Sequence, residues 1–260
     1  MSGRRIDVHT AIGGHPFRYV PHPEPEILAG VVRREGLDAA WTAHLPSAFW
    51  RDPSPGNTEL YARLAPHADV LRPVPTIVPG WPGWERELDR AHAQAAPAVR
   101  AYPQHVGVGG EHPSLVALAD ACGHAGLALV LPVRFEDLRQ RSGLDVAGDL
   151  PAATVRELAR RAAQARLIVL GAGREWIEEV HWGLTPDEQR RVLYDISWIW
   201  GPPEEHLAHL LRTLGGARLC FGTGWPLRLT QSPTANLALL PDALRPAALA
   251  DVEAFARVAG

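Results

Sequence analysis

Leu219-Cys220-Phe221-Gly222-Thr223-Gly224-Trp225-Pro226 is the stretch that decides how the rest of this chain is read. A short apolar run breaks into a glycine-rich turn and a proline ends it. That is the pattern of a buried strand delivering its last residues into a loop. Working outward, similar apolar runs cover residues 5–9, 39–43, 70–78, 98–102, 127–133, 166–170 and 192–196, with 219–222 as the eighth. Residues 127–133 are apolar almost throughout, as a parallel strand buried on both faces requires. Helical periodicity fills the gaps, at 26–35, 57–67, 84–94, 114–124, 154–165, 174–180 and 204–214. Asn57 and Ser114 stand where helix N-caps are expected. Eight strand-then-helix units predict an α/β fold, a (β/α)8 TIM barrel, with residues 1–260 as one domain.

Composition narrows the function. The formal net charge is −3, with an isoelectric point near 6.5, so no electrostatic case exists for nucleic acid or an anionic membrane. All 26 basic residues are arginines. The missing lysines exclude a Schiff-base lysine and a carbamylated-lysine metal bridge. Cys122 and Cys220, each on an apolar segment, read as two buried thiols. A strand begins almost at the N-terminus and no apolar run reaches the length of a membrane span, which predicts a cytoplasmic protein with no membrane partner.

A barrel gathers its site at the C-terminal ends of its strands. That rule selects His9 and the loop to Arg18, and residues 41–50, 79–84, 102–105, 134–141, 171–174, 197–201 and 223–228. The candidates at these strand ends are His9, Trp41, Arg100, Tyr102, His105, Arg134, Glu136, Asp195, Trp198, Thr223 and Trp225. His9 and His105 are the candidate general acid and base, because imidazole titrates near neutrality. Asp195 is placed to orient one of them, and Glu136 is a further catalytic candidate. Arg100 and Arg134 suit a substrate carboxylate, since a planar guanidinium matches it in a two-bond fork. Trp41, Trp50, Trp81, Trp84, Trp198, Trp200 and Trp225 fall on or near the rim. They either pack loops over the mouth or wall a pocket for a flat ligand. Arg139 and Arg141 read as parts of an ion-paired loop. Two tryptophan-rich segments, 176–182 and 198–200, suit a homo-oligomer contact.

Several of these strand ends carry a family likeness. Phe221-Gly222-Thr223-Gly224-Trp225-Pro226 is similar to the Phe-Gly-Ser-Asp-x-Pro motif of the eighth strand in the amidohydrolase superfamily. Asp195-Ile196-Ser197 is similar to the Asp-x-Ser end of that family's seventh strand, and residues 99–105 to its fourth. The branch resembled is the metal-dependent TIM-barrel hydrolases and decarboxylases related to aminocarboxymuconate-semialdehyde decarboxylase. In that branch the metal is held by His-x-His on strand 1, a histidine at the ends of strands 5 and 6, and the strand 8 aspartate. Here those positions read His9-Thr10-Ala11, no histidine in residues 128–133, Gly171 among glycines, and Gly224. One ligand in five remains. The resemblance therefore implies a hydrolase or lyase on a small carboxylate-bearing or aromatic metabolite, working without the usual catalytic metal and with no cofactor. A divalent metal at a relocated site built from His9, His15, His105 or Asp195 stays open. So does a barrel that has lost catalysis and serves as a binding or partner subunit.

Overall fold

Alternation along the strands sets the architecture of this computed structural model, which describes residues 4–245 and 249–257. The strands are β1 (Ile6–Ile12), β2 (Ala39–His44), β3 (Leu71–Pro73), β4 (Ala98–Arg100), β5 (Ala128–Pro132), β6 (Leu167–Leu170), β7 (Val192–Asp195) and β8 (Leu219–Cys220). Residues of one parity form an inner cluster that draws on every strand: Val8, Trp41, Ala98, Val130, Ile168, Leu193 and Cys220 are among them, and Val74 joins just past β3. Residues of the other parity, such as Val99, Leu129, Leu131 and Val169, pack outward against helices. Two-sided burial is why these strands are apolar at consecutive positions. Each fully buried Val, Leu or Ile contributes roughly 1.5–3 kcal/mol.

All strand pairs are parallel, in the orders β1-β2-β3 and β4-β5-β6-β7-β8. Backbone hydrogen bonds join the two groups at both seams. Arg100 N donates to Pro75 O and Ile77 N to Arg100 O, both at 2.8 Å. On the other side Val8 N donates to Phe221 O at 3.0 Å, Gly224 N to His9 O at 2.9 Å and Ala11 N to Trp225 O at 2.9 Å. The quoted stretch is thus the closing seam of a TIM barrel. Strand β3 stops at Pro73, short of residue 78, because Pro73 and Pro75 supply no N–H to a ladder.

The outer layer is α1 (Pro25–Arg34), α2 (Ser54–Leu64), α3 (Trp84–Ala93), α4 (Pro113–His124), α5 (Ala152–Arg161), α6 (Arg174–Trp182), α7 (Pro186–Gln189), α8 (His206–Thr213), α9 (Gln231–Ala238) and α10 (Val252–Arg257). Two expected caps differ. Asn57 lies inside α2, where its amide accepts from Thr76 N and donates to Thr76 O, both at 2.8 Å. It replaces the ladder that β3 lacks beyond its prolines. In α4 the cap is His112, whose ring nitrogen accepts from Ser114 N, and Pro113 opens the helix. Helix α10 has no counterpart in the sequence reading. Its Val252 and Ala256 join the inner cluster with Ile6, Ala39, Ala98 and Ala128, so it closes the N-terminal end of the barrel. No helix among the described residues is long and apolar enough to cross a membrane. Both cysteines are free and buried, as expected.

Burial holds the imidazoles of His15, His44, His105 and His181 below their ordinary value of 6.5. In the unfolded chain they take up protons near that pH, while in the fold they stay neutral. The unfolded state then binds more protons, so stability is full above about pH 7 and is lost as pH falls through the unfolded value of 6.5. Thermal unfolding midpoints are expected to hold steady from about pH 8 to 7 and to drop from about 6.5 toward 5. A midpoint that rises across the lower window would show that these sites do not dominate.

Candidate functional site

Asp195 ends β7 fully buried, facing the barrel axis at its C-terminal mouth. Across the axis stands His9 of β1, with Nδ1 2.7 Å from Asp195 Oδ2 and 3.0 Å from Ser197 Oγ. Gly171 N donates to Asp195 Oδ1 at 2.8 Å. An ionised carboxylate only accepts, so the proton of His9 sits on Nδ1 and the lone pair of the neutral ring on Nε2. The ring still reaches the surface, with 13% of the side chain exposed. The arrangement is a buried acid fixing the tautomer of a histidine that faces the mouth.

Glycines make the approach possible. A Cβ on Gly222 would lie 2.4 Å from Asp195 Oδ2. Gly222→Ala is therefore expected to displace the carboxylate and weaken its bond to His9. Proton NMR of the His9 Nδ1–H, shifted downfield by the carboxylate in the wild type, checks this; an unmoved resonance would contradict it. Beneath the pair, Asp7 is buried within β1. Its Oδ1 accepts from His9 N and Thr223 N at 3.0 Å each, and its Oδ2 from Thr223 Oγ1 at 2.6 Å. Burial pushes the Asp7 carboxyl up, and these hydrogen bonds work against that rise. Thr223, expected at the substrate, is instead committed to Asp7 and is 1% exposed.

The rest of the rim divides in two. On the side of β5, β7 and β8, Trp198 is buried beneath two guanidiniums, Arg228 at 4.0 Å and Arg134 at 5.5 Å from its ring centroid. Arg134 also pairs with Asp149 at 2.6 Å. Trp225 stacks parallel to His22 at 6.5 Å. On the β4 side, Tyr102 and His105 pack with Phe49 and Phe135, with centroids 5.3–5.8 Å apart. Tyr102, His105 and Phe49 border a cavity of about 770 Å³, walled also by Trp50 and Trp81. His105 donates Nδ1–H to Ala48 O at 3.0 Å, which leaves the lone pair on Nε2. Burial pushes the Tyr102 phenol up, and the Arg100 guanidinium beside it works against that rise. Phe135 links the halves, since it follows Arg134 in the chain.

The structure thus unites His9 with Asp195 and Tyr102 with His105, but places the two pairs in different halves. Glu136 is buried and held by Arg18 at 2.6 Å. Trp41 and Arg100 are enclosed in the barrel, at 0% and 2% exposure, behind the wall of the site. Parity explains this: both face the axis one layer below the mouth. Arg139 pairs with Asp137 and Arg141 with Asp149, as the loop reading expected. Of the tryptophans expected at an oligomer contact, Trp182 and Trp200 are exposed, while Trp198 is covered and Trp176 donates to Leu150 O. Asp7 is a site residue that the strand-end rule does not select, whereas Ser197 and Arg228 lie within the segments it selects, 197–201 and 223–228, without being singled out as candidates. Asp7 had a signal, a lone carboxylate inside an apolar strand, and Arg228 ends the very loop that the glycine turn opens.

No family model matches this chain, and no curated protein does. Solved structures do. A 5-carboxyvanillate decarboxylase from Sphingomonas paucimobilis aligns with a TM-score of 0.66 at 14% identity, covering 99% of this chain and 96% of its own. A second 5-carboxyvanillate decarboxylase, from Novosphingobium aromaticivorans with bound manganese, aligns at 0.66 and 12%, covering 96% of each. A dihydroxybenzoic acid decarboxylase from Polaromonas, also with bound manganese, aligns at 0.66 and 10%, covering 93% of each. The manganese overturns the expectation of a cofactor-free chain, because the fold carries a divalent metal in these neighbours. The residues of this chain do not match such a site. His9 and Asp195 are the donors at the mouth and they bond each other, while Ala11, Gly171 and Gly224 bring no donor side chain. Among the described residues no three His, Cys, Asp or Glu side chains converge, so His9, His15, His105 and Asp195 form no relocated cluster. At 10–14% identity these likenesses show the fold, a TIM barrel shared with the decarboxylases above and with an amidohydrolase structure.

Proposed function

We propose that this protein is a lyase or hydrolase acting on a small aromatic carboxylate, with His9 as the group that moves the proton. The observation that carries the reading is the 2.7 Å bond between His9 and a fully buried Asp195 at the barrel mouth. Surface histidines have no need of such an acid, whereas a proton-transfer histidine needs its tautomer and orientation fixed. The substrate class draws on the neighbours, which are decarboxylases of carboxyvanillate and dihydroxybenzoate. The aromatic-walled cavity beside Tyr102 and His105 suits a flat ring. For a carbon–carbon lyase, protonated His9 gives its Nε2 proton to the ring carbon that bears the carboxylate. The bond to the carboxylate carbon then breaks, its electron pair restores the ring, and carbon dioxide leaves. Asp195 steadies the charge that His9 carries before the transfer.

The test is a panel of hydroxylated benzoates incubated with wild-type protein and with His9→Gln, following carbon dioxide release and the ring product. Turnover by the wild type and its loss in the variant are expected. Ligands that bind but are never turned over would make the chain a binding barrel.

A further inference from the structure

Arg228 is a half-buried guanidinium that lacks an anion. It rises from the turn after β8, its backbone N–H donating to Gly224 O at 3.1 Å. Its guanidinium lies 4.0 Å from the Trp198 centroid and 5.7 Å from that of Trp200. Gly224 makes room for it. A Cβ there would come within 3.0 Å of Arg228 Cδ and 3.3 Å of Cγ, and the glycine has a left-handed φ of +79°. The position that carries an aspartate in the resembled motif is thus given over to the stem of an arginine.

Charge completes the argument. Among the described residues no carboxylate lies within ion-pair distance of Arg228, whereas Arg134, which faces the same indole, is paired with Asp149. Arg228 Nε is buried with no protein partner. Asp195 and Asp137 are near enough to favour its charge, but both oxygens of Asp195 are taken by His9 and Gly171. Burial pulls the guanidinium pKa down against that attraction. A partly desolvated cation with open donors is costly unless an anion meets it. Trp198 fixes its plane, and the two Nη, neither enclosed nor bonded to protein among the described residues, stand as donors for two oxygens.

We infer that Arg228 is the anchor of the ligand's carboxylate, holding it in a two-bond fork beside the His9–Asp195 pair. The identity of the ligand as an aromatic acid rests on the function proposed above; the anion site rests on Arg228 itself.

Isothermal titration with benzoate and with its neutral analogue benzamide tests this on wild-type protein, Arg228→Gln and Arg228→Lys. Benzoate is expected to bind the wild type, to weaken about 10- to 100-fold in Arg228→Gln, and to fall between the two in Arg228→Lys. Benzamide should change less than about twofold, because it brings no charge to the fork. In the wild type, the Arg228 Nη–H resonances are expected to shift downfield as benzoate is added, a readout that needs no variant to fold. Benzoate affinity unchanged in Arg228→Gln, no benzoate binding by the wild type, or unmoved Nη–H resonances would each overturn the assignment. Arg228-dependent benzoate binding without turnover of any aromatic acid would sink the proposed reaction and leave the anion site. Turnover with Arg228-independent binding would do the reverse.

Discussion

Asp195→Asn is expected to lower turnover by about 10²- to 10⁴-fold, the range that positioned acid–base catalysis supplies. The tautomer of His9 decides the size of the loss. Gly171 N–H needs an acceptor, so the carbonyl oxygen of the introduced amide stays with it and the amide nitrogen turns to His9. That nitrogen donates, which forces His9 Nδ1 to accept and moves the ring proton to Nε2. Nε2 then holds the only proton of a neutral ring, a far weaker acid than the imidazolium the transfer uses, and Nδ1, occupied by the amide N–H, cannot take up a second. The carboxylate that steadies the protonated ring is lost at the same time. Shape and volume hardly change, so the unfolding midpoint should stay close to that of the wild type. Turnover within a few-fold of the wild type would mean that Asp195 only braces the strand ends. His9→Gln removes the proton carrier itself and should cost at least as much. The two changes together should cost little more than His9→Gln alone, because they act as one unit.

How much of this was legible follows from what strands and loops encode. Barrel strands buried on both faces write themselves as apolar runs, which is why β5 and β6 were found within about two residues of their ends. The seam was legible because Gly222, Thr223 and Gly224 break an apolar run where a backbone must turn. Asp195 was legible as a polar residue ending an apolar strand. Orientation was not. Nothing local in residues 98–102 says that Arg100 faces the axis one layer too deep, whereas Tyr102 faces the cavity two positions on. Strand β3 is shorter than the apolar run 70–78 because prolines 73 and 75 lie inside that run and bring no donors to a ladder. The partition of the rim into two halves depends on loop side chains such as Phe49 and Phe135, whose meeting is long-range. Arg228 lies within residues 223–228, which the strand-end rule selects, yet nothing in that segment singles it out. The empty Gly224 position was read as a loss, whereas the residue that fills its space stands four places later.

The largest effect on stability is expected from Asp7→Ala. Asp7 ties β1 to the turn after β8, the seam where the barrel closes, through His9 N, Thr223 N and Thr223 Oγ1. Alanine strands all three donors in a place water does not reach. Each buried donor left unmet costs about 1–3 kcal/mol, so a loss of several kcal/mol follows, against a total near 5–15. One effect works the other way: burial raises the Asp7 carboxyl, so its ionised form is itself a burden at neutral pH. Asp7→Asn separates the two. Its amide oxygen keeps the two N–H donors, the charge is gone, and the Thr223 hydroxyl turns to accept from the amide. The expected loss is under about 2 kcal/mol. The pH dependence fixes the sign. With its folded pKa above the unfolded 3.8, Asp7 lowers stability when ionised, and that penalty lifts as pH falls through the folded value toward 3.8. The wild type should therefore gain on Asp7→Asn in acid, in urea titrations run side by side. An Asp7→Ala protein within about 1 kcal/mol of the wild type at neutral pH would show that the seam holds by its backbone bonds alone, and that the carboxylate clamp adds nothing.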